Sequence, residues 1–501
     1  MRRSGVLRPA TLATAGAAVA LFALVLLATR TPVQPVAWFL LIAAAAALAG
    51  AAYLVWHVDP AWTLSAAIAA TMFSGNWEQF GLPERLAPDR LLLAAGVATL
   101  LLRAPGARDR PPLRLRPVHA VLALAAAFAV GSALAVDTFT KQQALFRLID
   151  RFSIMAFLLF AVAPLAFHAA RQRAILLVTL VGMGAYLGLT ALFEGMGADP
   201  LVFPGYILDP KVGNHFGRAR GPFVEAAVNG LGLYVCATAA AIGLAKWRST
   251  WPRLGAIFVI ALCAAGQLFT LQRAAWVATV VAVLVCLLGF RELRRYTVPA
   301  VATGVVAMVA LLVLVPGLYA RTGERASSER SAWDRRAQFD SALNMAAERP
   351  LVGFGWNRYA DYGPSYVSLS DDYPLILNKQ RGDIVHNVIL SNLAELGLVG
   401  TGLWILGLGL AVGGAVTTRG PPELRPWRIG LAGIAVYWLV LVIFTPLVSV
   451  FPNMILWLWA GVVTAGVGAV DGAALQSENG SRHRPRPGPG TRRPKRSALV
   501  G

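Results

Sequence analysis

The chain has 501 residues, of which 57% are hydrophobic and 14% are charged, and its net charge is +20. A soluble domain is usually about 45–50% apolar and about 25% charged, so this composition excludes an ordinary soluble domain and indicates a membrane protein. The excess of Lys and Arg is typical of loops held on the cytoplasmic side of a membrane, and nucleic-acid binding is not expected.

Apolar runs long enough to cross a bilayer recur along the whole chain, and about fourteen of them are candidate spans of roughly 20 residues. They cover residues 11–29, 36–58, 61–77, 90–102, 118–136, 152–168, 174–196, 223–245, 254–271, 274–290, 298–319, 388–416, 427–448 and 450–470. The third and fourth runs are short and are interrupted by Gly75 and by charges. They form either two spans or one re-entrant pair, which leaves about twelve spans. The predicted fold is therefore all-α, a polytopic helical bundle.

The basic residues predict the orientation of the bundle. They gather in alternate connections between spans, for example at Arg103–Arg116, Arg171 and Arg173, and Arg291–Arg295. The positive-inside rule places these connections, and both termini, in the cytoplasm. Three residues run against the pattern, because Lys141, Arg147 and Arg151 fall in an outer connection.

The last segment, 476–501, is rich in Pro, Gly, Ser and Arg. Such a composition does not bury a core, so we expect a disordered cytoplasmic tail near anionic membrane lipids. The three cysteines all lie in apolar runs, where a cysteine is ordinarily a small hydrophobic residue. Their spacing predicts neither a disulfide nor a metal site.

Two long loops and one tight turn remain on the outer side. The loops are residues 197–222 and 321–387, and the turn carries Arg273. The second loop ends at His386 and Asn387, directly before an apolar helix, so His386 is expected at the rim of the membrane. The simplest interpretations are a rim histidine for His386 and a snorkelling side chain for Arg273. A functional site is favoured by the convergence of one His and several Arg on one face.

Within the second loop, residues 331–348 have Ala332, Phe339, Leu343 and Ala346 on one helical stripe. This predicts a short amphipathic helix lying over the outer mouth. Pro350 ends it, and Gly353-Phe354-Gly355 predicts a turn. Nine residues beyond His386, Glu395 falls on the opposite face of its helix, so we expect it in a buried polar contact between helices rather than in a metal pair.

The candidate residues suit phosphate chemistry. Arginine offers a permanently charged, forked donor for a diphosphate, and an imidazole can take a proton from a hydroxyl near neutral pH. Arg218, Arg220 and Arg273 are the candidates for the anion, and Glu225 stands at a helix start, where a carboxylate favours the dipole. The sequence offers no convincing nucleotide loop, metal cluster or sizeable cytoplasmic domain, so no cofactor is expected.

Four stretches carry a resemblance to a known family. They are RARGPF at 218–223, LQRAAW at 271–276, the segment 329–359 around RPLVGFG, and DIVHNVILSNLAELGLVG at 383–400. Together with the spans, over roughly residues 152–410, they resemble the O-antigen ligase family, which includes O-antigen polymerases. The leucine-glutamine pair before Arg273 is a small departure, since a hydroxyl residue often precedes that arginine in the family.

The resemblance implies a membrane glycosyltransferase that moves a glycan from a polyprenyl diphosphate carrier to an acceptor hydroxyl outside the cytoplasmic membrane, without metal or nucleotide. It implies His386 as the catalytic base and Arg220 and Arg273 on the donor diphosphate, with Arg218 competing for the first position. Further candidate supporting residues are Glu225, Asn387, Glu395 and Arg330. The acceptor is a glycan, a lipid or a protein, and the resemblance does not separate ligase from polymerase.

The expected organisation is N-terminal spans in residues 1–151, a ligase-like core in 152–416, C-terminal spans in 417–475 and the tail in 476–501. Two other classes of function remain open at this point. A transporter or flippase for lipid-linked glycans would place its polar site near the bilayer midplane, often at broken helices. A non-catalytic scaffold for envelope assembly would need no such site.

Overall fold

The computed structural model describes residue 50 and residues 57–82, 87–103, 115–152, 154–314, 330–367, 385–418, 420–446 and 449–465. The predicted first span, most of the second span and the predicted tail lie outside the described residues. In the described ranges the regular structure is helical, as predicted. The main helices are α1 Pro60–Ala70, α2 Pro88–Arg103, α3 Pro117–Ala135, α4 Ile154–Ala166, α5 Ala170–Met196, α6 Ala226–Lys246, α7 Thr250–Phe269, α8 Arg273–Gly289, α9 Thr297–Leu314, α10 Arg330–Glu348, α11 Val388–Leu408, α12 Arg425–Phe444 and α13 Phe451–Thr464.

Seven helices in the described ranges are long and apolar enough to cross a membrane. These are Pro117–Ala135, Ala144–Ala166, Ala170–Met196, Ala226–Lys246, Thr250–Phe269, Val388–Thr417 and Pro422–Phe444, and shorter apolar helices cover Pro60–Phe73, Arg273–Gly289 and Phe451–Thr464. The chain is a polytopic helical membrane protein. The third and fourth predicted spans correspond to α1 and α2, two short helices that pack against each other.

Each of the main membrane helices packs against one or more of the others. Helix α5 contacts α6 and α7, α8 contacts α12, and α4 contacts α13, while α11 lies against α3 and is covered by α10. Small residues permit close approach, as at Gly188, where a Cβ would lie only 2.8 Å from Cβ of Leu262. Large rings fill the space elsewhere: Trp427 and Trp459 are both fully buried, with ring centroids 4.9 Å apart.

Helix α11 is broken at Gly397, and the loop after α10 fills the break. Gly397 has φ 63° and ψ −168°, so the amides of Leu398 and Val399 leave the helical hydrogen-bond ladder. They donate to the carbonyls of Pro350 and Leu351 at 2.7 and 3.1 Å. The loop thereby joins the backbone of a membrane helix, in which every polar group needs a partner.

The two carbonyls released by the same break are also paired. Ala394 and Glu395 accept from the amides of Phe354 and Gly355 at 3.0 and 2.8 Å. Gly353 and Gly355 have φ values of 68° and 101°, which glycine adopts without strain. In place of the predicted turn, Gly353-Phe354-Gly355 has a bend at Phe354, and its backbone binds α11.

The partner of the buried Glu395 carboxylate differs from the predicted one. The carboxylate accepts from the backbone amides of Asn357 and Tyr359, at 3.0 and 3.2 Å. The expected polar contact between helices is therefore a contact between a helix and the loop that follows α10. The reason is that the broken helix brings loop backbone, rather than another helix, against the buried carboxylate.

Arg147, one of the basic residues that run against the predicted orientation, is paired within the protein. The guanidinium of Arg147 donates to Asn357 Oδ1 and lies 6.0 Å from the ring of Trp356. Next to it, Asp150 forms an ion pair with Arg90 at 2.6 Å. Arg147 therefore helps to anchor the same loop segment that Glu395 holds, which gives it a packing role independent of membrane orientation.

The amphipathic helix in the long loop is present as α10, but its buried stripe differs from the prediction. Ala346 is buried as predicted, but Leu343 is 48% exposed, and further buried residues of α10 are Gln338, Ser341, Ala342 and Met345. The predicted stripe followed one apolar spacing, whereas the buried face of α10 also carries polar residues, which are buried because they have partners. Ser341 Oγ, for example, donates to the carbonyl of Gly363 at 2.6 Å.

Candidate functional site

The segments that carry the candidate arginines lie side by side. The amide of Ala219 donates to the carbonyl of Phe269 at 2.9 Å, which joins the loop before α6 to the turn between α7 and α8. Arg218 then donates through Nη1 to Oε1 of Gln272. Because Gln272 directly precedes Arg273, the structure brings Arg218 and Arg273 to one place.

Arg220 has a different environment from Arg218. It is 1% exposed, and its Nη2 donates to the carbonyls of Ile207 and Asp209 at 2.6 and 3.1 Å. Its Nη1 donates to the carbonyls of Val212 and Asn214 at 2.7 and 3.4 Å. The guanidinium therefore holds the preceding loop in shape from inside.

Acidic groups surround Arg220. Its own amide and that of Gly221 donate to the carboxylate of Glu194 at 3.0 and 2.9 Å. Burial lowers the pKa of Arg220, and the charges of Glu194, Glu225 and Asp209 act in the opposite direction. The group remains a cation, because the ordinary pKa of arginine lies far above neutral pH.

Glu225 occupies the N-cap position of α6 and is half-buried. Its Oε2 accepts from Nδ2 of Asn214 at 3.3 Å, and its charge acts on both Arg218 and Arg220. This candidate supporting residue therefore lies within electrostatic reach of both arginines of the first loop.

An arginine that the sequence analysis did not single out, Arg335, lies near Arg273. Arg273 is exposed and begins α8, and Arg335 is half-buried on α10. Burial lowers the pKa of Arg335, and the nearby positive charge of Arg273 lowers it further. Two guanidinium groups held within electrostatic reach of each other form a suitable site for an anion of two charges.

His386 contacts α10 at the residue three positions after Arg335. Its backbone amide and its ring Nδ1 lie 3.3 and 2.7 Å from Oε1 of Gln338. The imidazole is half-buried, between the buried residues Val385 and Asn387. Residues three apart share a helix face, so Arg335 and Gln338 present the same face of α10 to the site.

The remaining candidate residues have structural positions. Asn387 is the N-cap of α11, and its side chain accepts from the amide of Leu390 at 2.9 Å, which orients the helix start beside His386. Glu395 lies two turns deeper. Arg330 begins α10, and its side chain lies outside the described part of the chain.

Hydrogen bonds and one electrostatic interaction therefore link these residues. The links run from Arg218 to Gln272 and its neighbour Arg273, then by charge to Arg335, and along one face of α10 through Gln338 to His386. Arg335 and Gln338 were not predicted as site residues because neither is apolar. The signal that finds them is their helical spacing, since they extend the buried stripe of Ala342 and Met345 by two turns.

Fold and site together define a polytopic helical membrane protein with arginines and one histidine gathered at one end of the bundle. Residues 256–405 match the family model described as O-antigen ligase, which supports the resemblance to that family. The matched range includes Arg273, α10 and His386, and the match supports a general role in membrane glycan transfer. A search of curated proteins finds no match to the chain.

Proposed function

We propose that this protein transfers a glycan from a polyprenyl diphosphate carrier to an acceptor hydroxyl at the outer face of the cytoplasmic membrane. The observation that carries the proposal is the placement of Arg335 and Gln338 on one face of α10. Arg335 lies within electrostatic reach of Arg273, and Gln338 contacts His386, so this helix links two arginines and the histidine. A diphosphate binder and a proton acceptor are the two groups that the reaction needs.

Arg273, Arg335 and Arg218 bind the donor diphosphate in this proposal. Guanidinium groups make paired, charge-assisted hydrogen bonds to phosphate oxygens, and a dianion relieves the mutual repulsion of Arg273 and Arg335. Arg220 acts indirectly, because its donors hold backbone carbonyls of the loop that presents Arg218. Glu225 supports the same pair of arginines by charge.

His386 is the general base. The acceptor oxygen attacks the anomeric carbon of the donor, and the bond between that carbon and the diphosphate oxygen breaks. The bonding electrons leave with the diphosphate, whose growing charge the arginines stabilise. The hydroxyl proton passes to the imidazole of His386.

The arginines take the part that a divalent cation plays in many phosphate reactions, so transfer should proceed without metal or nucleotide. The outer location rests on the alternation of basic connections along the sequence, with both termini in the cytoplasm. Ligase and polymerase functions share this donor and this base and differ only in the acceptor.

One observation favours the transporter alternative. Helix α11 is discontinuous at Gly397 beside the buried Glu395, and broken helices are typical of transporter binding sites. In this protein, however, the backbone of residues 350–355 takes up the hydrogen bonds released at the break. Because these hydrogen bonds are already made, the break is better suited to hold α10 rigidly in place than to bind an ion or a substrate.

The testing experiment uses purified protein in lipid vesicles with a polyprenyl diphosphate-linked oligosaccharide and a candidate acceptor, in buffer that contains EDTA. We expect free polyprenyl diphosphate to appear in step with glycosylated acceptor. Movement of intact donor between leaflets without release of the carrier would support the transporter instead. Activity that EDTA abolishes and magnesium restores would remove the arginines from their proposed role.

A further inference from the structure

Two nitrogen atoms of His386 converge on one atom of Gln338. The backbone amide of His386 lies 3.3 Å from Gln338 Oε1, and ring Nδ1 lies 2.7 Å from the same atom. A backbone N–H can only donate, so the glutamine atom that faces it is the carbonyl oxygen rather than the amide nitrogen. This contact fixes the orientation of the glutamine amide from the backbone alone.

The orientation of the amide decides the tautomer of the ring. A carbonyl oxygen has two lone pairs and no proton, so it accepts from both the amide and Nδ1 of His386. Nδ1 therefore carries the ring proton, and in the neutral imidazole the lone pair that can accept a proton lies on Nε2. The structure thus distinguishes the two nitrogens of the proposed base.

Gln338 is itself held in place. It is 6% exposed, and the face of α10 that carries it packs through Ala342 and Met345 in a cluster with Ala394 of α11. Its backbone carbonyl accepts from the hydroxyl of Tyr359 at 3.4 Å. The oxygen that faces His386 therefore belongs to a fixed part of the helix, as orientation of a catalytic group requires.

We infer that Gln338 is a positioning residue of the transfer reaction, which holds the proton of His386 on Nδ1 and so makes Nε2 the atom that accepts the hydroxyl proton. This inference rests on the proposed function of His386. When the acceptor proton moves to Nε2, the ring becomes an imidazolium, and the Gln338 oxygen stabilises its Nδ1–H. Because Gln338 is neutral, it stabilises the cation only moderately, and the ring can return the Nε2 proton to water after each transfer.

Two substitutions separate this role from simple packing. Gln338→Met keeps the length of the side chain and removes the oxygen, so kcat should fall about 10-fold or more, a part of the 10²–10⁴ that a general base contributes. The donor KM should stay within about twofold, because the arginines are untouched. Gln338→Glu keeps the acceptor and adds a negative charge, which favours the imidazolium and should move the acid limb of the pH–rate profile upward by about one unit.

Asp340→Asn is the matched control, because Asp340 is exposed on the same helix. It should leave kcat, KM and the pH profile unchanged. The tautomer itself can be read from the ¹⁵N resonances of the imidazole in histidine-labelled protein. The sequence has 6 histidines, and His386 is identified by the signal lost in His386→Ala.

We expect a protonated Nδ1 and an unprotonated Nε2 in the wild-type protein, and a mixture of tautomers in Gln338→Met. A protonated Nε2 in the wild type would overturn the inference. So would full activity and an unshifted pH profile in both Gln338 variants while His386→Ala is inactive. Full activity of His386→Ala would instead overturn the proposed function of His386, on which the inference depends.

Discussion

Gly397 and Leu351 are in backbone contact, although they lie in different parts of the chain. A Cβ placed on Gly397 would lie 2.4 Å from the carbonyl carbon and oxygen of Leu351. The backbone at Gly397, with φ 63° and ψ −168°, is also in a region that is essentially restricted to glycine. The contact joins the loop after α10 to the break in α11, and thereby fixes α10 relative to His386.

The first prediction tests this junction. Gly397→Ala should destabilise the protein by about 2 kcal/mol or more, because backbone strain of roughly 1–3 kcal/mol is added to a steric clash. Gly402→Ala is the control, since Gly402 is in the same helix with no heavy atom within 4 Å of a Cβ. Thermal unfolding in detergent should show a lowered midpoint for Gly397→Ala alone. Equal midpoints for the two variants would contradict the junction.

The second prediction separates the arginines of the first loop. Arg220→Lys replaces a fork that reaches four carbonyls by a single ammonium, so it should lower thermal stability by about 1–3 kcal/mol as buried acceptors lose their donors. Arg218→Lys should leave stability nearly unchanged and weaken donor binding. The measurements are the unfolding midpoint and the Kd for a lipid diphosphate. Weakened binding in a fully stable Arg220→Lys, with normal binding in Arg218→Lys, would reverse the assignment.

The third prediction concerns Arg273. Arg273→Lys should raise the donor Kd about 10-fold, because an ammonium is a point charge that makes no planar, two-point contact with phosphate. A side chain that merely snorkels to the lipid surface would tolerate lysine, since lysine snorkels equally well. Arg248→Lys is the control at an exposed arginine of a different connection. An unchanged Kd in Arg273→Lys would leave the snorkelling interpretation in place.

The fourth prediction tests orientation. Cysteines introduced at Ser365 and Ser249, both exposed, should label oppositely with a membrane-impermeant thiol reagent in intact cells. The native Cys236 and Cys263 are buried, so Cys286→Ser provides a suitable background. Ser365→Cys should label and Ser249→Cys should not. The reverse pattern would place α10 and His386 on the cytoplasmic side.

Much of this architecture can be predicted from the pattern of apolar residues along the sequence. Runs of about 20 apolar residues predicted most of the described membrane helices, and Pro350 predicted the end of α10. His386 was predicted at a junction between loop and helix, because the polarity changes abruptly there. These features depend on neighbours in sequence, which local reasoning captures.

The features that were not predicted depend on contacts between distant segments. Gln338 looked like an ordinary polar residue of a surface helix, and it is buried because His386, 48 positions away, supplies its partner. Arg218 and Arg220 differ by two positions and are indistinguishable by residue type, yet one faces Gln272 and the other is enclosed by its own loop. The composition of the chain and the spacing of its residues do not predict which distant residues become hydrogen-bond partners.

The most direct test of the account compares His386→Ala with the wild type in donor binding and in release of polyprenyl diphosphate. Wild-type protein should bind the lipid-linked oligosaccharide and release the carrier as the acceptor is glycosylated. His386→Ala should bind the donor with an unchanged Kd, because the arginines remain, and should transfer about 10²–10⁴ times more slowly. Near-normal turnover in His386→Ala, at matched stability, would contradict the account.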